Sequence, residues 1–439
     1  MSHFGLGGFG DRRLEKGGSF LYERLVAVES CGLSVRRLGA TRAGEMRITR
    51  FLRNDGVRLD EILASAATRA CGRVPGRHVL AIQDTTTIRA KDRGRCVAMH
   101  PVIAVDAVEG GLLGLVDAQF FTRDGGKRAQ RKDVAFTDKE SRRWLDGAQA
   151  ARALKTAGAA CVTIIADREG DICEDFALRP QGTELVIRAG QDRRLCDGTR
   201  LFGCLAAIPE AGRMMVDLAG APGRKARTAI IALRFRKVEI ASPLSRKGTH
   251  ERKALAPSVP LTLVEAREID PPEGSSDISW RLLTSHHVTD LADARRIVGF
   301  YRCRWIIEEV FRILKTRGFD VERLRQAEGP FEKLVLASLI AAVTVLQLVH
   351  ERDGAKQRPA SDAFDRDDIP ALEAVCQSLE GKTMRQKNPH PRASLAYAAW
   401  VLARLGGWTG YYGKPGPIVM LQGLVQFHAI KHGWSLKHV

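Results

Sequence analysis

Two short runs of strand-forming residues that each lead into an aspartate constrain the fold more than any other feature of the sequence. Residues 78–84 read HVLAIQD, and residues 161–171 read CVTIIADREGD. Continuous apolar runs of this length, rich in β-branched residues and followed by turn-forming residues, are typical of buried strands. We therefore predict two buried strands that carry Asp84 and Asp167 at their carboxyl ends.

The sequence between these two strands indicates the order of the elements. Residues 102–121 contain two apolar runs separated by Glu109, Gly110 and Gly111, which is the composition of a hairpin turn. Residues 139–159 have helical periodicity. Three strands in a meander, a helix and a further strand predict the start of a ribonuclease H-like α/β core.

The rest of the chain divides into helical regions and a strand-rich segment. Residues 1–70 contain short amphipathic segments, and helical patterns resume after residue 291. Runs such as TAIIALRFRKVEI, between about 190 and 285, alternate as β-strands do. We predict a helical domain at 1–70, an α/β core at 71–350 with a β-rich insertion at about 190–285, and a helical region at 351–439.

The net charge indicates the class of partner. The chain has 69 lysines and arginines against 51 aspartates and glutamates, a net charge of +18. Such an excess favours a polyanion, either nucleic acid or an anionic membrane. The longest apolar run, residues 334–349, is shorter than the roughly 20 residues that span a bilayer. We therefore expect this run to form a core helix, and we expect nucleic acid and not a membrane as the partner.

The cysteines indicate the compartment. The chain has nine cysteines without a C-x-x-C pair and no apolar leader, which favours reduced thiols in a cytoplasm and no zinc site.

The two aspartates favour a metal site. In a sheet of this order their strands lie side by side, and Glu308 from a later helix is the natural third acid. Clustered carboxylates bind Mg²⁺ or Mn²⁺, and two such ions can act on both sides of a phosphodiester. For Asp84 alone a turn or cap at a strand end explains the residue equally well. Asp167 has a similar alternative at the N-terminus of a helix.

Residues 301–315 read YRCRWIIEEVFRILK and combine charges with an apolar helix pattern. In one continuous α-helix, Tyr301, Arg304, Glu308 and Lys315 fall within roughly 60° of one another. The alternative is an ordinary solvated face supported by charge pairs one turn apart. We expect one helix with a functional polar stripe.

This segment fits the Y-(2)-R-(3)-E-(6)-K signature of the insertion-sequence-4 family of bacterial DDE transposases, and the chain resembles the transposon-five type. Further matching stretches are FGDRRL, FLRN, IQDTTT, HPVIAVD, DKESRRWL, IADREGD, SWRLLTS and LARLGGWTGY. The resemblance implies a ribonuclease H-like catalytic core with a β-strand insertion. It also implies that Asp84, Asp167 and Glu308 are the catalytic residues and the metal ligands.

The resemblance assigns DNA contacts to further residues. Tyr301, Arg304 and Lys315 would contact phosphates next to the scissile bond, and Arg188 would lie near them. Trp280 would stack on a base moved out of the helix, although a tryptophan in a strand is more often part of a core.

The flanking helical regions have roles by the same resemblance. The N-terminal domain would recognise the inverted repeats at the transposon ends, with Arg47, Arg50 and Arg53 reaching phosphates or bases, although a solvated arginine is the usual case. Residues 351–439 would form a homodimer in the synaptic complex. We expect double-stranded end and target DNA as partners, in the bacterial cytoplasm at the nucleoid.

The chemistry implied is cut-and-paste transposition. Water cleaves one strand, the freed 3′-hydroxyl forms a hairpin, the hairpin is opened, and the 3′ ends join target DNA, each step being a phosphoryl transfer. Two alternatives remain at this point. One is a nuclease with the same fold that acts on DNA junctions or ribonuclease H-type substrates, and the other is an inactive DNA-binding inhibitor of an active relative.

Overall fold

The structure, a computed structural model, describes residues 5–27, 33–89, 96–122, 139–218, 226–242, 255–272, 277–316, 318–324, 330–356, 358–411 and 413–437. The chain forms two compact units. The first consists of Met1–Pro75, Thr85–Asp124 and Ile306–Val439, and the second of Gly76–Asp84 and Gly125–Trp305. The domain boundaries at residues 70 and 350 stay predictions.

Helices and strands are both abundant in the described residues. In chain order the helices are α1 (Arg12–Ala27), α2 (Val35–Gly39), α3 (Arg42–Arg53), α4 (Leu59–Cys71), α5 (Arg142–Ala150), α6 (Arg152–Thr156), α7 (Cys173–Ala177), α8 (Leu291–Arg302), α9 (Trp305–Lys315), α10 (Phe331–Glu351), α11 (Ile369–Leu379), α12 (Leu395–Leu405) and α13 (Pro417–Lys437). The strands are β1 (His78–Gln83), β2 (Thr86–Ile88), β3 (Val97–Asp106), β4 (Leu112–Thr122), β5 (Cys161–Ala166), β6 (Glu184–Arg188), β7 (Gly212–Leu218), β8 (Arg227–Ala241), β9 (Ser258–Glu268) and β10 (Ser279–Thr284).

The second unit is built on a mixed sheet. Its strands lie in the order β1-β5-β6-β10-β9-β8-β7. β1, β5 and β6 pair in parallel with one another. β10 pairs antiparallel with β6, and the pairs β10–β9, β9–β8 and β8–β7 are also antiparallel. β1 and β5 are buried at nearly every position, as parallel strands covered on both faces must be. The mixed sheet confirms the predicted α/β class.

The strand-rich segment lies in this sheet. β8 and β9 are long strands that pair over eleven positions, from Ile231 opposite Glu268 to Ala241 opposite Ser258. They coincide with the alternating runs that the sequence marks as strands. Pairing alone does not identify this segment as an insertion into a smaller fold, so that part of the interpretation stays a prediction.

The segment 301–315 is two helices, so the expectation of one continuous helix is wrong. α8 ends at Arg302 and α9 begins at Trp305. Between them the Arg304 amide donates to the Tyr301 carbonyl, three residues back, which is the tighter turn of a 3₁₀-helix. No glycine or proline marks this break in the sequence. Tyr301 and Arg304, on either side of it, contact Asp167 and Asp84.

The first unit contains a hairpin and a bundle of helices. β3 and β4 pair antiparallel around the predicted turn, where Gly110 has a positive φ of 66°. The Asp106 carboxylate accepts from the amides of Val108 and Glu109 and stabilises this turn. The predicted hairpin is therefore present.

The apolar run at residues 334–349 belongs to α10, which has 21 residues and is longer than the sequence pattern suggests. By length and composition alone this helix is long and apolar enough to cross a membrane. Most of its side chains are buried in the unit, against α1, α4, β4, α12 and α13. The helix therefore forms the core of the first unit.

α12 and α13 cross with their backbones in contact. A Cβ atom placed on Gly423 would lie 1.9 Å from the Leu402 carbonyl oxygen, and one placed on Gly406 would lie 2.0 Å from that of Val419. Real Cβ atoms do not approach backbone this closely, so each position requires glycine. Gly433, in the same helix α13, has nothing within 4 Å of the corresponding point.

This difference predicts opposite effects for one substitution at two sites of α13. Gly423→Ala should lower the free energy of unfolding by about 1–3 kcal/mol, because the methyl group forces the helices apart. Gly433→Ala should raise it by about 0.5–1 kcal/mol, because alanine favours helix at an open position. Chemical denaturation of both variants measures the effects. Equal shifts of the same sign would contradict the described crossing.

Candidate active site

Asp84 and Asp167 follow the ends of two neighbouring parallel strands. Ile82 of β1 lies opposite Ile165 of β5, and each aspartate comes two residues after these partners. Neighbouring strands are about 4.8 Å apart, and equal offsets place both residues at the same edge of the sheet. Their side chains are mostly buried, with 17% and 29% of their surfaces exposed.

The alternative role of Asp167 as a helix cap does not fit its contacts. The residue occupies the N-cap position of a short 3₁₀ turn, Arg168–Gly170, with extended backbone. Its side chain makes no capping hydrogen bond there. The carboxylate instead accepts a hydrogen bond from the Tyr301 hydroxyl at 3.0 Å.

Tyr301 and Arg304 reach the two aspartates from the end of α8 and the turn after it. Arg304 Nη1 donates to Asp84 Oδ2 at 2.5 Å, and its guanidinium carbon lies 6.0 Å from the centre of the Tyr301 ring. Burial, followed by the negative charge of Asp167, raises the pKa of Tyr301 to about 12. The phenol therefore stays protonated at neutral pH and donates to the carboxylate.

Arg188 lies near Asp167, and Trp280 packs against Tyr301. Arg188 Nη1 is 3.8 Å from Asp167 Oδ1, and its Nη2 donates to the Ser279 carbonyl at 3.1 Å. The partly exposed Trp280 ring packs edge-on against Tyr301, with 5.6 Å between the ring centres. The second unit thus brings together six of the sequence-predicted site residues: Asp84, Asp167, Arg188, Trp280, Tyr301 and Arg304.

The donor chemistry of the two aspartates fits a hard divalent cation. Carboxylate oxygens from adjacent strand ends are the ligands that Mg²⁺ and Mn²⁺ prefer. Within the described ranges, no three histidine, cysteine, aspartate or glutamate side chains form a group that could hold a metal ion. A metal site built on Asp84 and Asp167 would therefore need further ligands, and both aspartates are engaged by cationic or hydroxyl donors.

Glu308 and Lys315 belong to α9, in the first unit. Lys315 Nζ donates to the Thr87 carbonyl at 2.7 Å and lies 3.9 Å from the Glu322 carboxylate. Burial lowers the pKa of Lys315, an effect that Glu322 partly offsets. Glu308 is half-buried. The neighbouring Glu309 pairs with His350 of α10 at 3.1 Å, which anchors α9 within the unit.

Arg47, Arg50 and Arg53 are exposed on α3. Arg47 also has an intramolecular role, because its guanidinium lies 4.3 Å from the centre of the Phe20 ring and donates to the Lys16 carbonyl. Arg50 and Arg53 follow at intervals of three residues, so the three cations line one side of the helix. Their function as DNA contacts stays a prediction.

Sequence reasoning missed Asp171, the last residue of DREGD. Its fully buried carboxylate accepts from the amides of Gly190 and Gln191 at 2.8 Å and pairs with Arg193. These bonds join the turn after Asp167 to the segment that follows Arg188. The only signal in the sequence is a second acid four residues after the first, which gives no indication of a partner about 20 residues away.

A comparison with known protein families identifies the family to which the chain belongs. A family model described as a transposase DDE domain matches residues 75–344. The match covers more than half of the chain and includes all of the sequence-predicted site residues from Asp84 to Lys315. The chain therefore belongs to the transposase DDE domain family and is a polynucleotidyl transferase with endonuclease activity.

Proposed function

We propose that this DDE transposase moves an insertion sequence of the insertion-sequence-4 family by the cut-and-paste route of the transposon-five type. DNA is its substrate, and enzymes of this class use divalent metal ions. The observation that supports the proposal best is the contact of two signature residues, Tyr301 and Arg304, with Asp167 and Asp84. Signature residues that contact the two aspartates in the fold support the family assignment more specifically than the sequence spacing of the signature does.

Asp84, Asp167 and Glu308 are proposed to hold Mg²⁺ or Mn²⁺. The proposed role of Asp84 and Asp167 is based on the strand geometry. The proposed role of Glu308 is based on its place in the signature, four residues after Arg304. Bound cations supply charge neutralisation at the phosphodiester and an activated oxygen. Because the chemistry is phosphoryl transfer, the remaining work of the protein is to position phosphates.

Tyr301, Arg304, Lys315 and Arg188 are proposed to position those phosphates. Arginine suits this role because its planar donors match phosphate oxygens in pairs. Trp280 is proposed to stack on a displaced base during hairpin formation and opening, since part of its ring is exposed beside Tyr301.

The flanking regions complete the proposal. Residues 1–70, with Arg47, Arg50 and Arg53, are proposed to bind the inverted repeats of the transposon ends. Residues 351–439 are proposed to form the homodimer of the synaptic complex. The net charge of +18 supports a role on DNA, which we place in the bacterial cytoplasm at the nucleoid.

Neutralising the acids should separate catalysis from binding. Asp84→Asn, Asp167→Asn and Glu308→Gln should each abolish strand cleavage in Mg²⁺, because each removes a charged metal ligand, and should leave end binding intact. The control is Asp367→Asn, which removes an exposed carboxylate of the first unit. Cleavage assays on labelled end DNA and gel-shift titrations give the two readouts. Near wild-type nicking by any of the three variants would remove that residue from the ligand set.

The arginines of α3 should contribute to a steep salt dependence. Each neutralised phosphate releases about 0.9 counterion on duplex DNA, so affinity should fall steeply between about 50 and 200 mM salt. The triple variant Arg47→Gln, Arg50→Gln and Arg53→Gln should bind more weakly with a shallower slope. A variant with Arg366, Arg385 and Arg392 replaced by glutamine, three exposed residues of the same unit, should keep the wild-type slope. Equal slopes in both triple variants would exclude α3 as the contact surface.

Trp280 should act after the first cleavage. Trp280→Ala should nick normally, because hydrolysis needs no displaced base, but should form hairpins about 5- to 150-fold more slowly through the loss of about 1–3 kcal/mol of stacking. Trp280→Phe keeps an aromatic ring and should retain much of the activity. A gel assay that resolves nicked, hairpin and broken products measures both steps. Equal loss of both products would indicate a folding role, and wild-type nicking without any hairpin would favour the nuclease alternative.

A further inference from the structure

A small cavity lies in the first unit, lined by residues of α4, β4, α10 and the 3₁₀ turn Ala360–Asp362. Its volume is about 30 Å³, and the charged side chains in its lining are Arg69, Arg73 and Asp362. Because about 10–15 Å³ is enough for one water molecule, the cavity has room for a water molecule or a small ion.

The Asp362 carboxylate is shared by two arginines. Nε and Nη2 of the buried Arg358 both lie 2.7 Å from Asp362 Oδ2, and Arg73 Nε lies 3.7 Å from Asp362 Oδ1. Both carboxylate oxygens therefore face cations. Burial is the main cause that lowers the pKa of Arg73 to about 10, so this guanidinium stays charged at neutral pH.

Arg69 differs from these two arginines, because it has no carboxylate partner. Its Nη1 donates to the Gly5 carbonyl at 3.1 Å and to the Ser65 hydroxyl at 2.8 Å. Among the residues that the structure describes, no carboxylate lies within 4.0 Å of its guanidinium, and Asp365 acts on it from farther away. Nε and Nη2 make no hydrogen bond to a described residue. These donors stand at the edge of the cavity without an acceptor from the protein.

The charges around the cavity do not balance. The three arginines carry three positive charges, against which Asp362 and the more distant Asp365 carry two negative ones. Glu351 lies 3.9 Å from Arg358 and is fully buried, and burial raises its pKa, which favours its uncharged form. A buried charge is costly unless an opposite charge pairs with it. Water would supply hydrogen-bond acceptors here but no negative charge.

We propose that this cavity binds a chloride ion between the guanidinium groups of Arg69 and Arg73. The ion would accept N–H donors that have no partner in the protein and would neutralise the excess positive charge. Its small size fits the cavity, and its single negative charge matches the imbalance. The site belongs to the first unit, whereas Asp84 and Asp167 belong to the second, and the inference does not rest on the proposed function.

The melting temperature of the full-length protein without DNA tests the site. Chloride is replaced stepwise by gluconate, which is too large for the cavity, at constant ionic strength. The melting temperature of the wild type should rise by about 3 °C for each tenfold increase in chloride above its dissociation constant, because an anion that binds only the folded state stabilises it. Arg69→Met keeps an apolar stem without the charge and should lose this dependence.

Two further variants separate the cavity from general effects of salt. Arg366→Met removes an exposed arginine of the same unit, so it lowers the net charge equally and should keep the wild-type dependence. Ser65→Asp places a carboxylate where the hydroxyl now contacts Arg69. This carboxylate should take the place of the ion, so the variant should fold stably at low chloride and respond little to added chloride. It decides the question if Arg69→Met does not fold.

Crystals grown in bromide locate the ion. Bromide replaces chloride in such sites and should give an anomalous diffraction signal in the cavity of the wild type. A chloride dependence that is equal in the wild type, Arg69→Met and Ser65→Asp would overturn the proposal, and so would a cavity that contains water only in the bromide crystals. Loss of the dependence in Arg69→Met or Ser65→Asp, with retention in Arg366→Met, supports it.

Discussion

The parallel pairing of β1 with β5 is the constraint on which the candidate site depends. Equal offsets from Ile82 and Ile165 bring Asp84 and Asp167 to one edge of the sheet, although 83 positions separate each register pair along the chain. Parallel strands cannot be joined by a tight turn, so a long connection is required. Burial of both strands makes a one-residue slip costly, because it would exchange the side chains that pack against the two covered faces of the sheet. The packing of the core therefore fixes the positions of Asp84 and Asp167 relative to each other along the strands.

Tyr301 organises the side chains around these acids. Its buried ring contacts Trp280 and lies near the Arg304 guanidinium, and its hydroxyl donates to Asp167. The break between α8 and α9 allows Tyr301 and Arg304 to reach different carboxylates. A single uninterrupted helix would present both along one stripe. The local departure from helix geometry is therefore part of the site.

Buried ion pairs recur where chain segments meet in this protein. Asp171 joins the turn after Asp167 to the segment beyond Arg188, and Arg193 completes that contact. Breaking a buried pair leaves an uncompensated charge, which is far more costly than losing an exposed one. The same physics applies to Arg304 and Asp84, whose side chains are only 11% and 17% exposed.

The sequence alone determined the strands that lead into Asp84 and Asp167, the hairpin at Gly110 and the strand-rich segment, because periodicity and turn chemistry are local properties. Its signature also identified the chemistry that the family comparison supports. Only the tertiary structure decided that Arg304 binds Asp84, 220 residues away, and that Tyr301 binds Asp167. It also decided that a turn interrupts the signature helix. A local pattern cannot encode these choices, since the partner of a buried charge depends on which distant segment the fold brings beside it.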